Sequence, residues 1–266
     1  MQLQGATVLL TGATGGIGQA IARRLHRAGA TLVLTGRRAE LLEPLAEEVD
    51  GRALSVDLAD RDEVDRLAAA CLDVDVLVAN AALPASGPLT SFSREEVDRA
   101  LDVNLRAPIV LAHALVDGMR DRGRGHLVFI SSVAGRTSAP GSSVYSATKF
   151  GLRGFAQGLR GDLAGSGVGV STIFPGFIRD AGMFAKSEAQ LPPGVGTSTP
   201  DEVAEGVVRV VERDRGEMTV APVTMRAMTT FAELAPGLAS KLSRLAGSER
   251  IAREIAAGQA RDPRHR

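Results

Sequence analysis

Short apolar runs alternate with amphipathic helical stretches along most of this chain, and that alternation restricts the fold more than any other feature of the sequence. Residues 6–11, ATVLLT, form an apolar run that breaks into GATGGIG, after which Ile17, Ala20, Ile21 and Leu25 carry helical spacing as far as Gly29. The unit then repeats. Strands are predicted at 31–36, 52–57, 74–80, 126–131, 169–174 and 217–221, with helices at 40–49, 60–71, 93–122 (bent near Pro108), 144–164 and 200–213. Strands that take turns with helices pair in parallel and are covered on both faces. The expected fold is a single α/β domain over residues 1–221, a doubly wound parallel sheet of about seven strands with helices on both faces.

Thr11, Gly12, Gly16 and Gly18 spell T-G-x-x-x-G-x-G between the first strand and the first helix. Glycine there permits a tight turn and close approach of backbone to a pyrophosphate, while the helix N-terminus offers unpaired N–H donors. A site that prefers NAD places an acid about 20 positions after the loop to hold the ribose 2′-OH, and an arginine in its place accommodates a 2′-phosphate. Strand two ends here in Thr35 and Gly36, followed by Arg37 and Arg38. NADP(H) is therefore favoured over NAD(H). Two cations at a helix start oppose the macrodipole by about 0.3–1 kcal/mol each, a cost that a bound phosphate removes.

The chain's only tyrosine, Tyr145, stands four residues before Lys149, and Ser132 follows the apolar run that ends at Ile130; there is no tryptophan. On a helix Tyr145 and Lys149 share a face. A phenol, an ammonium and a hydroxyl at one strand end are the equipment for moving a proton to or from a carbonyl or alcohol oxygen. A free phenol titrates at about 10, and lowering that by two to three pH units takes roughly 3–4 kcal/mol. One ammonium at about 4 Å supplies about as much, so a depressed Tyr145 pKa is expected.

Other classes are disfavoured by what surrounds these residues. Lys plus Arg and Asp plus Glu both total 31 in 266 residues, which gives nucleic acid no electrostatic footprint. The four histidines show no ligand spacing, so no metal is expected. Cys71 lies in a helical pattern and reads as a small buried hydrophobe. The first strand begins too early to leave room for a targeting peptide, and no apolar run approaches the roughly 20 residues that span a bilayer. The expected compartment is the cytoplasm.

Taken together, these motifs resemble the short-chain dehydrogenase/reductase family over roughly residues 5–221. The resemblance implies a Rossmann fold and hydride transfer between nicotinamide and a carbonyl or secondary alcohol. It assigns Tyr145 as general acid/base, Lys149 as the group that lowers its pKa and binds the nicotinamide ribose, Ser132 as a hydrogen-bond partner of the substrate oxygen, and Asn104 as support for a water-linked proton relay. The implied cofactor residues add Thr14, Ile17, Asp57, Leu58, Asn80, Ala81, Pro175, Gly176 and Ile178 to the glycines and arginines above. Ala82 replaces a usual glycine, and Asp180 stands where a threonine commonly helps hold the nicotinamide carboxamide. The rival reading is a catalytically silent protein that senses NADP(H) on the same fold.

Two segments, 179–198 and 222–266, lie outside the repeat, and one helix within it is unusually rich in glycine. Residues 179–198 form a long connection after strand six and are expected to be a substrate lid; its Met183, Phe184 and Leu191, with Leu83 and Ile178, point to an apolar substrate. Gly151, Gly154, Gly158 and Gly161 punctuate the Tyr145 helix at about 0.8–1.0 kcal/mol each, a cost that close backbone packing, against the sheet or in a homo-oligomer, would offset. In the extension 222–266, Met225, Met228, Phe231, Leu238, Leu242 and Leu245 recur at helix-like intervals. That stripe is read as a buried face over the pocket or an oligomer surface, in preference to a membrane-facing patch flanked by Lys241, Arg244, Arg250 and Arg253.

Overall fold

A computed structural model of the chain describes residues 1–185, 191, 195–245, 254 and 258. Seven strands form one sheet in the order β3-β2-β1-β4-β5-β6-β7, with every pair parallel. They are β1 (Thr7–Leu10), β2 (Thr31–Gly36), β3 (Arg52–Ser55), β4 (Val76–Ala79), β5 (Gly125–Ile130), β6 (Val168–Pro175) and β7 (Glu217–Val220). The central strands β1, β4 and β5 are almost wholly buried, as a sheet covered on both faces requires.

Two apolar layers fill the space above and below the sheet. On one side α1 (Gly16–Arg27), α2 (Ala39–Glu48) and α8 (Pro200–Arg213) pack through Ile21, Leu25, Leu42, Val207 and Val211. On the other, α3 (Arg61–Ala69), α5 (Ala107–Asp121) and α6 (Ser143–Asp162) pack through Leu67, Leu111, Leu115, Leu152 and Phe129. Helix starts follow their sequence: Ser93 with Glu96 and Thr199 with Glu202 each form a reciprocal capping box, opening α4 (Arg94–Leu101) and α8.

The long helical region expected over 93–122 is three pieces rather than one bent helix. A π-helical turn at Asp102–Arg106 joins α4 to α5, and Pro108, which has no N–H to give to the turn before it, stands in the first turn of α5. The interruption therefore falls just ahead of the proline. It carries Asn104.

Beyond β6 lies the short helix α7 (Gly182–Ala185); the rest of the expected lid falls largely outside the described residues. After β7 come α9 (Val223–Leu234) and α10 (Pro236–Leu245). Of the stripe noted there, Met225 is enclosed, whereas Met228, Phe231 and Leu238 are 60%, 42% and 52% exposed on the single chain. The side chains of Leu242 and Leu245 lie outside the described residues. The sheet likewise does not account for the α6 glycines, because Gly154, Gly158 and Gly161 face open space.

Candidate active site

Strand order reverses direction between β1 and β4, and the site residues gather at the C-terminal ends of the strands on either side of that switch. The glycine loop follows β1. Gly12 has φ +67°, and a Cβ there would sit 2.7 Å from the Ala81 backbone. A Cβ on Gly18 would meet the Gly12 carbonyl, and one on Gly16 would lie 2.5 Å from Ala181. Gly15 caps α1 with no side chain, and the first turn of α1 holds no acid, so its N–H groups are left to an anion. These features fit the pyrophosphate of a dinucleotide.

Loops from neighbouring strands are tied to this cradle. The Thr11 hydroxyl accepts from the backbone N–H groups of Asn80 and Ala81, both at 3.1 Å. The Asn80 amide donates back to the Thr11 and Gly12 carbonyls at 3.1 Å. Arg37, exposed, and Arg38, half-buried, follow β2; Arg38 donates to the Thr14 carbonyl at 3.4 Å. After β3 the Asp57 carboxylate accepts from Ala59 N–H at 3.1 Å and from Arg99 at 2.8 Å. Burial pushes that carboxyl up, but the Ala59 N–H and the guanidiniums of Arg99 and Arg37 outweigh it and hold it below the usual range. Leu58 beside it is buried. Ile17 is half-buried, a Cβ on Gly182 would lie 3.5 Å from it, and Ile178 is buried in a bridge to Ser198. Pro175 ends β6, and Gly176 is covered by Met225, whose sulfur would lie 2.5 Å from a Cβ at that position.

The candidate catalytic residues lie on the far side of the switch. Ser132 extends from the end of β5, its Oγ accepting from the Ala134 N–H at 3.1 Å, and its hydroxyl pulls the Tyr145 phenol pKa downward. Two bonds fix α6 against β5: Ser131 Oγ donates to the Lys149 carbonyl at 3.1 Å, and Lys149 Nζ donates to the Ile130 carbonyl at 3.0 Å. The ammonium lies 5.6 Å from the centre of the Tyr145 ring. Ser132, Tyr145 and Lys149 are therefore brought together as the spacing predicts.

The electrostatics differ from expectation. Tyr145 is half-buried, and burial raises its pKa above the ordinary value while the Ser132 hydroxyl pulls the other way. Lys149 does not offset this. Burial brings its own pKa down to about 8, which weakens the cation that was expected to depress the phenol.

Asn104 is wholly buried and its side chain is spoken for. Its Oδ1 accepts from Leu83 N–H at 2.6 Å and its Nδ2 donates to the Leu83 carbonyl at 2.9 Å. That paired bond fastens the loop after β4 to the π turn, as a strand neighbour would.

Sequence reasoning missed a cluster next to this set. Arg136, four residues after Ser132, and Arg153, one turn after Lys149, both stack over Phe174 at 5.5 and 5.3 Å. Arg136 donates to Glu233 at 2.9 Å and to Thr219 at 2.6 Å. Arg153 donates to Glu217 at 2.8 Å and to Glu233 at 2.6 Å. These pairs join α6 and the segment after Ser132 to β7 and α9 across 64 to 97 residues of sequence. No local pattern signals them.

Residues 6–192 match the family described as short chain dehydrogenase. The chain is 33% identical over 250 residues to the ketoacyl reductase HetN of Nostoc sp., covering 91% of this chain and 87% of that protein. It is 36% identical over 181 residues to the 3-oxoacyl-[acyl-carrier-protein] reductase FabG of Rickettsia conorii, covering 67% and 75% of the two chains. Among solved structures, a short-chain dehydrogenase from Sphingobium yanoikuyae in complex with NADPH superposes with a TM-score of 0.77 at 27% identity, covering 88% of this chain and 94% of that one.

Proposed function

This chain belongs to the short-chain dehydrogenase/reductase family and is an NAD(P)-dependent oxidoreductase, and from that membership we propose that it uses NADP(H) to interconvert a carbonyl and a secondary alcohol on an apolar substrate. One observation carries the proposal: the Lys149 ammonium, anchored on the Ile130 carbonyl at the end of β5 two residues before Ser132, lies 5.6 Å from the centre of the Tyr145 ring. The cofactor, when bound, supplies or accepts the hydride.

Ser132 holds the substrate oxygen by a hydrogen bond, and Tyr145 gives that oxygen its proton as negative charge develops there. A phenol pKa above the ordinary value keeps the proton in place at neutral pH, which suits an acid in carbonyl reduction. Lys149 is anchored at the Ile130 carbonyl, where its ammonium lies below the phenol and stabilises the tyrosinate left behind. Asn104 keeps Leu83 and its loop in place beside the reacting groups.

Preference for NADP(H) rests on Arg37 and Arg38 after β2, where no acid is present to hold a 2′-OH. Structural relatives crystallised with NADPH and NADP⁺ support it. An apolar, acyl-like substrate is supported by Leu83 and the buried Ile178, by the Phe177–Phe184 ring pair 4.9 Å apart, and by the ketoacyl reductases among the relatives. Homo-oligomer formation is supported by the outward glycines of α6, since a close-packed partner helix would offset their cost.

The deciding assay follows NADPH consumption with medium-chain acyl ketones and thioesters beside small polar ketoses. Turnover of the acyl compounds that vanishes in Tyr145→Phe supports the reading. Turnover of the ketoses alone overturns the substrate class, and no nicotinamide chemistry with any carbonyl or alcohol overturns the function.

A further inference from the structure

Helix α9 has two contrasting faces. Met225 and Thr229 are buried, Met225 lies against Gly176, and Glu233 is turned in toward Arg136 and Arg153. The opposite face carries Val223, Met228, Phe231 and Leu234 at 70%, 60%, 42% and 82% exposure, and Leu238 continues it at the start of α10. Single exposed apolar residues are ordinary, but contiguous ones mark an interaction surface. Among the described residues, half of the large exposed hydrophobics fall in the stretch 223–238.

Charge identifies the partner. Residues 223–245 contain Arg226, Lys241 and Arg244 against one acid, Glu233, although the whole chain is electrically balanced. Arg226 and Lys241 are exposed, whereas the Glu233 carboxylate is consumed by two guanidiniums on the inner side. An apolar face rimmed by cations is complementary to the boundary of an anionic bilayer. A second copy docked face to face about a two-fold axis would instead set these cations against their own images, with no outward acid on either helix among the described residues to meet them.

We propose that the outer face of α9 and the start of α10 is a docking surface for a bilayer containing anionic lipid. Val223, Met228, Phe231 and Leu234 enter the acyl boundary, and Arg226 and Lys241 lie among the headgroups. Attachment is in the plane of the surface: among the described residues no helix is long and apolar enough to cross a membrane. This inference does not depend on the chemistry proposed above. It places the lipid on the outside of the helix whose inner side touches Gly176.

The test is flotation of the full chain with vesicles of phosphatidylcholine alone and of phosphatidylcholine mixed with phosphatidylglycerol. The chain is expected to float with the mixed vesicles, to release as salt rises, and to float several-fold less with phosphatidylcholine alone. Arg226→Gln with Lys241→Gln lowers the partition constant roughly 30-fold. Phe231→Asp with Leu234→Asp abolishes flotation, with circular dichroism and NADPH binding reporting that the variant is folded; should it not fold, the charge pair and the salt series decide. Absence of flotation, or flotation indifferent to salt and to the charge pair, overturns the proposal. So does a chain that ignores vesicles and dimerises until Phe231→Asp with Leu234→Asp makes it monomeric, which would assign the face to a second copy.

Discussion

The Glu233 carboxylate near the end of α9 accepts from Arg153 at 2.6 Å, one helical turn beyond Lys149 on the helix that carries the catalytic tyrosine. Glu233 also receives Arg136, so a single side chain of the extension is bonded to both segments that hold Ser132 and Tyr145. Hydrogen bonding from Arg136, opposed by burial and aided by Arg153, keeps the Glu233 carboxyl below the usual range. A lowered folded-state pKa contributes stability at neutral pH that is lost as acid protonates the carboxylate. Glu233→Gln is expected to destabilise the fold by about 1–3 kcal/mol in urea unfolding and to flatten this part of the acid limb. An unchanged midpoint would mean that the cluster is ornamental.

Lys149 should be stabilising to remove. It is about 1% exposed, and burial lowers its pKa to about 8 from an ordinary 10.5. The unfolded chain therefore binds the extra proton between those values, and stability rises with pH across that window while the full penalty stands below it. Lys149→Met is expected to gain up to about 3 kcal/mol at neutral pH and to lose turnover by roughly 10²–10⁴. Thermal melting and NADPH consumption measured on one preparation check both halves.

The single tyrosine gives a direct reading of the phenol. Tyrosinate absorbance of the free protein is expected to appear only above the ordinary pH range, because burial dominates at Tyr145. Adding NADP⁺, whose oxidised ring is cationic, should bring the transition down. A transition that ignores NADP⁺ would favour a silent, cofactor-sensing protein.

At the other end of the sheet, His126 is buried beside Ser171, whose hydroxyl donates to the Arg215 carbonyl at 2.7 Å. That hydroxyl has no second proton, so the 2.7 Å contact must be His126 Nε2–H donating to it. Burial brings the imidazole down to about 4, despite an upward pull from Asp214. The unfolded chain takes up the proton near 6.5, so stability falls as pH drops from there toward about 4. His126→Gln should remove up to about 3 kcal/mol of that loss, read as a shallower dependence of melting temperature on pH.

Cofactor preference is tested at Arg37. Arg37→Asp is expected to weaken NADPH by about 10- to 100-fold, in line with the loss of one or two charge-assisted contacts, and to improve the relative affinity for NADH. An unchanged NADPH dissociation constant would sink the assignment.

What was legible in the sequence is what local chemistry dictates. Strand-helix alternation, the glycines from Gly12 to Gly18 and the Tyr145–Lys149 spacing all act within a few residues of themselves. The paired bond from Asn104 to Leu83, Arg99 on Asp57 and the two arginines on Glu233 join positions 21 to 97 residues apart, and nothing in a linear pattern marks such partners. The stripe in α9 is a different case. A helical period identifies a face but gives no direction, and the side that faces inward is marked by Glu233, held by Arg136 and Arg153. The upward push on the phenol comes from burial, which the spacing of Tyr145 and Lys149 does not reveal.

The two halves of the sheet meet along β1 and β4 in three registered pairs, extended by the Asn80 amide, and Arg37 and Arg38 lie on one side while Ser132, Tyr145 and Lys149 lie on the other. A substitution at Arg37 or Arg38 therefore acts across the seam from Tyr145, and its effect on NADPH affinity can be read with the residues around the phenol unchanged.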